Sequence, residues 1–310
     1  MTEDRKTHLD RRAVALLLMC AGLWGLGQVA TKVALSEIAP LTQAALRSAG
    51  AALLLVGWMR WRGRAVWPGA GTWRGGILAG LLFAIEFGCI FVGLKYTTAS
   101  RMVVFLYLAP FVVAAGMPFI ARSERLDRWQ ALGLAAAFGG VVWAFAEGFV
   151  RPHAGDAQWL GDALGIAAAV LWGGTTLVVR GSALARAPAE AVLLYQLVVS
   201  ALALAAAAFV LGESWPAQLS GRSLWPLAFQ IVVISFASYL VWFWLMRHYP
   251  ATRISVFTLL TPPAGLVAGV LLLGEPLTPR LVVALLAVCA GIALVNRAPR
   301  PLRRPTAAAS

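Results

Sequence analysis

ALLLMCAGLWGLGQVATK, residues 15–32, returns at residues 163–180 as ALGIAAAVLWGGTTLVVR. An offset of 148 residues lays Ala15, Leu16, Ala21, Leu23, Trp24 and Gly25 on Ala163, Leu164, Ala169, Leu171, Trp172 and Gly173, and Lys32 on Arg180. Each copy is an apolar run of roughly 20 residues closed by a cation, and at 1.5 Å per residue that length spans a hydrocarbon core ~30 Å thick. Each copy reads as a membrane-spanning helix, and its return says that the chain is built twice.

The duplication extends well beyond these stretches. An offset of 152 pairs Phe91, Ala99, Arg101, Val104, Phe105, Leu108 and Pro110 with Phe243, Ala251, Arg253, Val256, Phe257, Leu260 and Pro262, with Lys95 facing Arg247. An offset of 151 then pairs Glu124, Leu126 and Gly140 with Glu275, Leu277 and Gly291. A bias toward Ala and Leu gives chance identities, but not an ordered series of Trp-Gly, cation, Arg, Pro and Glu matches.

The rest of the chain is equally apolar. Of 310 residues, 60% are hydrophobic and 13% charged, with mean hydropathy +0.79, whereas soluble domains carry about 45–50% apolar and about 25% charged residues. Apolar segments fall near 13–35, 41–59, 75–95, 99–120, 130–148, 160–180, 189–211, 226–246, 253–273 and 280–296. In lipid every backbone N–H and C=O needs an internal partner, and alternating barrel strands are absent, so these are helices. Five spans per half is an odd number, so the second half enters the membrane from the opposite side. The expected fold is an all-α integral membrane protein, ten transmembrane helices in a 5+5 inverted repeat. It comprises an N-terminal segment 1–12, repeats 13–148 and 160–296, and a basic tail 297–310. The apolar stretch from Ala13 to Leu35 is too long for a signal peptide and is read as a retained first span.

Twenty-six Lys plus Arg against thirteen Asp plus Glu give a formal charge of +13. The cations sit in the short connections, where they set orientation, and no basic domain interleaved with aromatics exists to grip nucleic acid. Nineteen fall on the side of both termini and five on the other (Lys95, Arg101, Arg151, Arg222, Arg280), which places the termini in the cytoplasm of a bacterial inner membrane. Cys20, Cys89 and Cys289 lie inside spans without a partner at ligand spacing, so no disulfide, metal or cofactor is expected.

Inverted repeats give two packings of similar energy, one open to each side, which is what alternating access requires. Leu23-Trp24-Gly25 with Lys32, Pro40 with Arg47, Lys95-Tyr96 with Ala99, Pro110, Glu124 with Leu126, and their second-half counterparts carry a resemblance to a known family. Over residues 13–296 the chain resembles the EamA-type members of the drug/metabolite transporter superfamily. That resemblance implies a ten-helix secondary carrier, and within the family the chain looks most like the bacterial exporters of aromatic and other neutral amino acids. One departure is visible: Tyr195 stands where the first half has Arg47, so that arginine is not duplicated.

Glu86 is the acid nearest the middle of a span, which makes it a functional candidate. It could receive a substrate ammonium or carry a coupling proton; equally it could be a structural acid beside Arg47. Trp24 with Gln28, Trp172 with Thr175 and Thr176, and Tyr239 with Ser235, Ser238 and Trp242 share helix faces. With Tyr107 and Tyr195 they are candidates to line an aromatic cavity with a few hydrogen-bonding groups. Trp58, Trp61, Trp129 and Trp225 are read as interfacial belt residues. Pro110, and Pro262, Pro263 and Gly265, mark bendable helices at matching places in the two halves. Lys32 and Arg180 are either interfacial anchors or members of a gating ion pair. Gly76/Gly80, Gly161/Gly165 and Gly265/Gly269 point to close helix packing.

His8, His153 and His248 lie outside or at the ends of spans, so intramembrane Ser-His catalysis is not expected, and no filter-like segment suggests a channel. The expectation is a carrier, monomer or homodimer, that exports neutral or aromatic amino acids or related metabolites. Its alternative is export of hydrophobic organic cations, for which one acid and aromatic faces also suffice.

Overall fold

A computed structural model describes residues 10–66, 69, 71–120, 128–150, 152–216, 218–249 and 257–295. His8, Glu124, Leu126, Arg151, Ala251, Arg253, Val256 and the tail, among the residues named above, lie outside the described residues. The helices run α1 Arg11–Ala34, α2 Pro40–Trp61, α3 Trp73–Gly93, α4 Ala99–Leu106, α5 Ala109–Ile120, α6 Arg128–Val150, α7 Gln158–Gly181 and α8 Ala189–Val210. They continue with α9 Gly221–Ala228, a π-helical stretch Phe229–Ser238, α10 Tyr239–His248, α11 Thr261–Leu273 and α12 Pro279–Val295. No strand occurs among the described residues. Among the described residues, seven helical segments, α4 with α5 and α9 with the π stretch each counted as one, are long and apolar enough to cross a membrane, and two shorter apolar helices, α11 and α12, accompany them. The outer faces of these helices and of α2 carry side chains that water would not tolerate together, such as Leu53, Phe119, Phe209 and Leu271, each at least 74% exposed.

Helix ends follow from local chemistry. The Asp10 carboxylate caps α1 by accepting the Ala13 N–H at 2.8 Å. Ser220 caps α9 in the same way through the Arg222 N–H at 3.2 Å, so this helix starts at Gly221, earlier than the apolar run from 226 suggests. Pro40 opens α2, where a missing N–H costs nothing. Pro110 has the opposite effect: without its N–H the chain breaks after Leu106 and resumes as α5 at Ala109. At the matching place in the second half, a 3₁₀ turn Thr258–Leu260 precedes Pro262 and Pro263. Gly274, with φ of 66°, ends α11 in the left-handed region.

The halves interlock. α1 packs on α11 and on the α9–π segment, while its counterpart α7 packs on α4–α5 and on α3. α2 lies against the π stretch and α8, α3 lies against α8, and α6 pairs with α12. Exchanging corresponding helices of the two halves maps this set of contacts onto itself. Small residues permit the approach: a Cβ on Gly25 would sit 2.6 Å from the backbone nitrogen of Gly265, and one on Gly140 would sit 2.7 Å from Cβ of Ala287. Gly76 and Gly80 receive Tyr195 and Val199 of α8, Gly161 receives the α3–α4 junction and Gly165 receives α4, and Gly265 and Gly269 receive α4 from its other side. All three glycine pairs thus serve close helix packing.

Candidate functional site

A cavity of about 920 Å³ lies between the halves, lined from α1, α2, α3, α4–α5, α7, α8, the π stretch, α10 and the start of α11. Its lining is mostly apolar and aromatic, with a few polar groups, the usual character of a small-molecule site. Trp24 donates its indole N–H to Ser238 Oγ at 2.8 Å and packs edge-on to Trp242 at 5.2 Å. Across the cavity Trp172 meets Tyr107 edge-on, ring centroids 5.9 Å apart. Phe83, Phe87 and Phe91 recur every fourth residue along α3, so one face of that helix presents a row of rings.

Over that row lies Arg47 from α2. Its guanidinium carbon sits 3.6 Å from the centre of the Phe87 ring, with Phe83 and Phe91 at 5.9 and 5.7 Å. Glu86, one residue before Phe87, lines the same cavity. Both side chains are buried, each residue 4% exposed, yet Arg47 Nε and Nη2 and Glu86 Oε2 have no hydrogen-bond partner among the described residues. Gln28 Oε1, also on the lining, is unpartnered among the described residues too. Buried polar groups are normally satisfied, so three such side chains converging on one space mark a place made for a polar ligand.

The two ends of the cavity differ. Toward one face its lining continues through Thr176, Val179 and Arg180 to Leu184, Ala185 and Ala187 in the α7–α8 connection and Ala189 at the start of α8. The opposite face is tied shut across the halves. Glu275 accepts the N–H groups of Ala99 and Ser100 at 2.7 and 2.9 Å and the Ser100 hydroxyl at 2.6 Å, capping α4 from the other half. Lys32 Nζ lies 3.7 Å from the same carboxylate and donates to the Thr97 carbonyl. Glu213 caps α2 likewise, accepting the Leu41 and Thr42 N–H groups at 3.2 and 2.8 Å. Glu37 meets the hydroxyl and N–H of Ser220, which hold its carboxyl below the usual carboxylate range.

A further buried network stands beside this seal. The Arg101 guanidinium binds Asp162 through Nε at 3.0 Å and Nη2 at 2.6 Å, and Glu147 through Nη1 at 3.0 Å. Thr278 donates to Glu147 at 2.8 Å, and Thr97 donates to Asp162. Arg101 counts as a connection cation in the sequence, yet it is buried between α4, α6 and α7. Its signal is the pair of acids, Glu147 and Asp162, at the facing ends of two apolar runs.

Of the residues singled out in the sequence, the cavity gathers Glu86, Trp24, Gln28, Tyr107, Trp172, Thr175, Tyr239 and Trp242, together with Pro110 and Arg180. Tyr195 stands apart: its ring packs over Gly76, and its hydroxyl lies 3.2 Å from Thr72 Oγ1. Ser235 is buried outside the lining, because the π-helical stretch widens the turn and brings Ile234, five residues before Tyr239, onto the cavity face instead. Pro262, Pro263 and Gly265 sit behind the lining, with Gly265 against Val103. Arg47, Gln196, Gln230 and Thr261 line the cavity without having been placed there from the sequence. Arg47 was visible as an in-span cation, and its unduplicated position was the available clue. Of the tryptophans assigned to the belt, Trp61 and Trp225 are exposed on the outer surface and Trp129 nearly half so, while Trp58 is partly buried.

The sequence profile of the EamA-like transporter family matches residues 11–146 and again residues 159–297. An uncharacterized protein of Pseudomonas aeruginosa is 30% identical over 288 residues, 92% of this chain and 95% of its own. An uncharacterized transporter of Bacillus subtilis, YvbV, is 25% identical over 92% of each chain. An uncharacterized transporter of Archaeoglobus fulgidus is 26% identical over 84% of this chain and 86% of its own. A solved structure at 19% identity superposes with a TM-score of 0.65, covering 92% of this chain and 97% of the other, which establishes a shared fold.

Proposed function

Because the chain belongs to the EamA-like transporter family, we propose that it exports small neutral amino acids, aromatic ones included, or related metabolites, across the bacterial inner membrane. The mechanism in this reading is alternating access between two inverted repeats of five spans, with both termini in the cytoplasm. The self-mapping contacts between the halves and the double family match support the repeat, and the distribution of Lys and Arg supports the orientation. On that orientation the conformation described is open to the cytoplasm along Arg180 and sealed on the outer face at Lys32 and Glu275.

The observation that carries the substrate reading is the aromatic cavity with one acid, Glu86, midway along α3 and with an unpartnered oxygen. A carboxylate there attracts an α-ammonium, and the rings of Trp24, Trp172, Tyr107 and the α3 phenylalanines hold an apolar or aromatic side chain. Lys32 and Arg180, at equivalent ends of α1 and α7, are the cations of the two gates, and Pro110 and Pro262–Pro263 are the bending points between them.

Efflux of radiolabelled phenylalanine from preloaded proteoliposomes, with and without a pH gradient, tests this. Wild type is expected to release it and Glu86→Gln to lose most of that rate and any response to the gradient. Release of a hydrophobic organic cation with no release of phenylalanine would replace the amino-acid reading with drug export. An unchanged Glu86→Gln would remove the role given to the acid.

A further inference from the structure

Resting on the amino-acid reading and narrowing it, we propose that Arg47 is the carboxylate clamp of the cavity and that, paired with Glu86, it makes the site select zwitterions. The geometry is that of a presenting guanidinium. Stacking on Phe87 at 3.6 Å fixes the plane of the group and leaves its edges as the only directions in which it can donate. Two of the nitrogens on those edges, Nε and Nη2, are unpartnered in a side chain 96% buried, and the residue lines the cavity. Nε–H and Nη–H side by side are the fork that receives both oxygens of a carboxylate.

Charge selects among ligands of the same size. Arg47 and Glu86 together make the site neutral but dipolar. An amine alone satisfies Glu86 and is repelled by Arg47; a carboxylate alone does the reverse. An α-amino acid satisfies both, and its side chain is left for the aromatic walls. The dipole also has one sense only. At the position equivalent to Arg47 the second half has Tyr195, packed away over Gly76, and at the position equivalent to Glu86, offset by 152, it has Ser238, engaged by Trp24. The two charges therefore come from one half, so the amino and carboxyl groups of the substrate are both held by the first repeat.

Three ligands that share a phenylethyl group isolate the clamp: phenylalanine, phenethylamine and 3-phenylpropanoate, measured by binding of each to the purified full-length protein in detergent. Wild type is expected to prefer phenylalanine over either of the others by about tenfold or more. Arg47→Gln is expected to weaken phenylalanine by about tenfold while phenethylamine changes by less than about threefold, and Arg47→Lys, which keeps the charge and loses the fork, falls between. Glu86→Gln is the mirror case, erasing the preference over 3-phenylpropanoate. If Arg47→Gln does not yield a monodisperse protein, Arg47→Lys carries the same comparison. Equal weakening of phenylalanine and phenethylamine in the Arg47 variants overturns the clamp while leaving amino-acid transport in place. A wild type that takes 3-phenylpropanoate, rejects phenylalanine and loses binding in Arg47→Gln keeps the clamp and overturns the amino-acid reading. Preference for phenethylamine, or binding of none of the three, overturns both.

Discussion

A single missing Cβ decides how closely two membrane helices approach, and Gly80 is the clearest case. A Cβ there would lie 2.5 Å from Cβ of Val199 and 3.0 Å from the Tyr195 carbonyl oxygen, and backbone cannot step aside. Gly80→Val is therefore expected to cost about 1–3 kcal/mol, read as a lower unfolding temperature in detergent. Gly57 on α2 has nothing within 4 Å of its Cβ position, so Gly57→Ala should be neutral or stabilise by up to about 1 kcal/mol. Equal melting of the two variants would contradict the packing described for α3 and α8. At this scale the sequence was legible where a residue was chemically out of place: Glu86 in an apolar run, Trp24 and Trp172 in matching positions, glycines four apart. It was less legible where a role depends on a neighbour from far along the chain. Tyr195 was read as a cavity candidate, but its ring packs over Gly76 of α3 instead.

At the scale of elements, the first turns of α2 and α4 are each completed by an acid from the other half, Glu213 and Glu275. Four N–H groups at a helix start have no intrahelical partner, and a carboxylate placed there satisfies two and meets the positive end of the helix dipole. Glu275 does this and also faces Lys32, so the two members of the ion pair are not equivalent. Glu275→Ala is expected to destabilise the protein by about 1–2 kcal/mol because the α4 cap is lost with the ion pair. Lys32→Ala removes only a partly exposed partner and should cost under about 1 kcal/mol. Thermal unfolding in detergent compares them; an equal loss from both would mean that the ion pair, and not the cap, holds this face closed. Element boundaries were readable from the sequence because prolines, caps and apolar length are local signals. The π-helical stretch was not: nothing local in Phe229–Ser238 announces a widened turn, and that turn is what moved the cavity face from Ser235 to Ile234.

At the scale of the molecule, the duplication could be read from aligned residues, but not which helix of one half would touch which of the other, since those contacts join residues far apart in the sequence. What the interlocked halves add is a direction. The cavity runs toward Arg180 and stops at the sealed face around Lys32, so two positions report opposite sides. Thr176 lines the cavity on the Arg180 side, and Ser36 is exposed in the α1–α2 connection on the sealed side. In a chain whose Cys20, Cys89 and Cys289 are replaced by alanine, a membrane-impermeant maleimide added to intact cells is expected to label Ser36→Cys and spare Thr176→Cys. In inverted vesicles the pattern reverses, and saturating substrate should slow labelling of Thr176→Cys by occupying the cavity and by drawing molecules into the opposite packing. Labelling of Thr176→Cys in intact cells and not in inverted vesicles would invert the orientation drawn from the cations. Labelling of Thr176→Cys from both sides at equal rates, in the absence of substrate, would mean that the seal at Lys32 and Glu275 does not hold in the membrane, and a carrier mechanism built on it would have to give way to a continuous path.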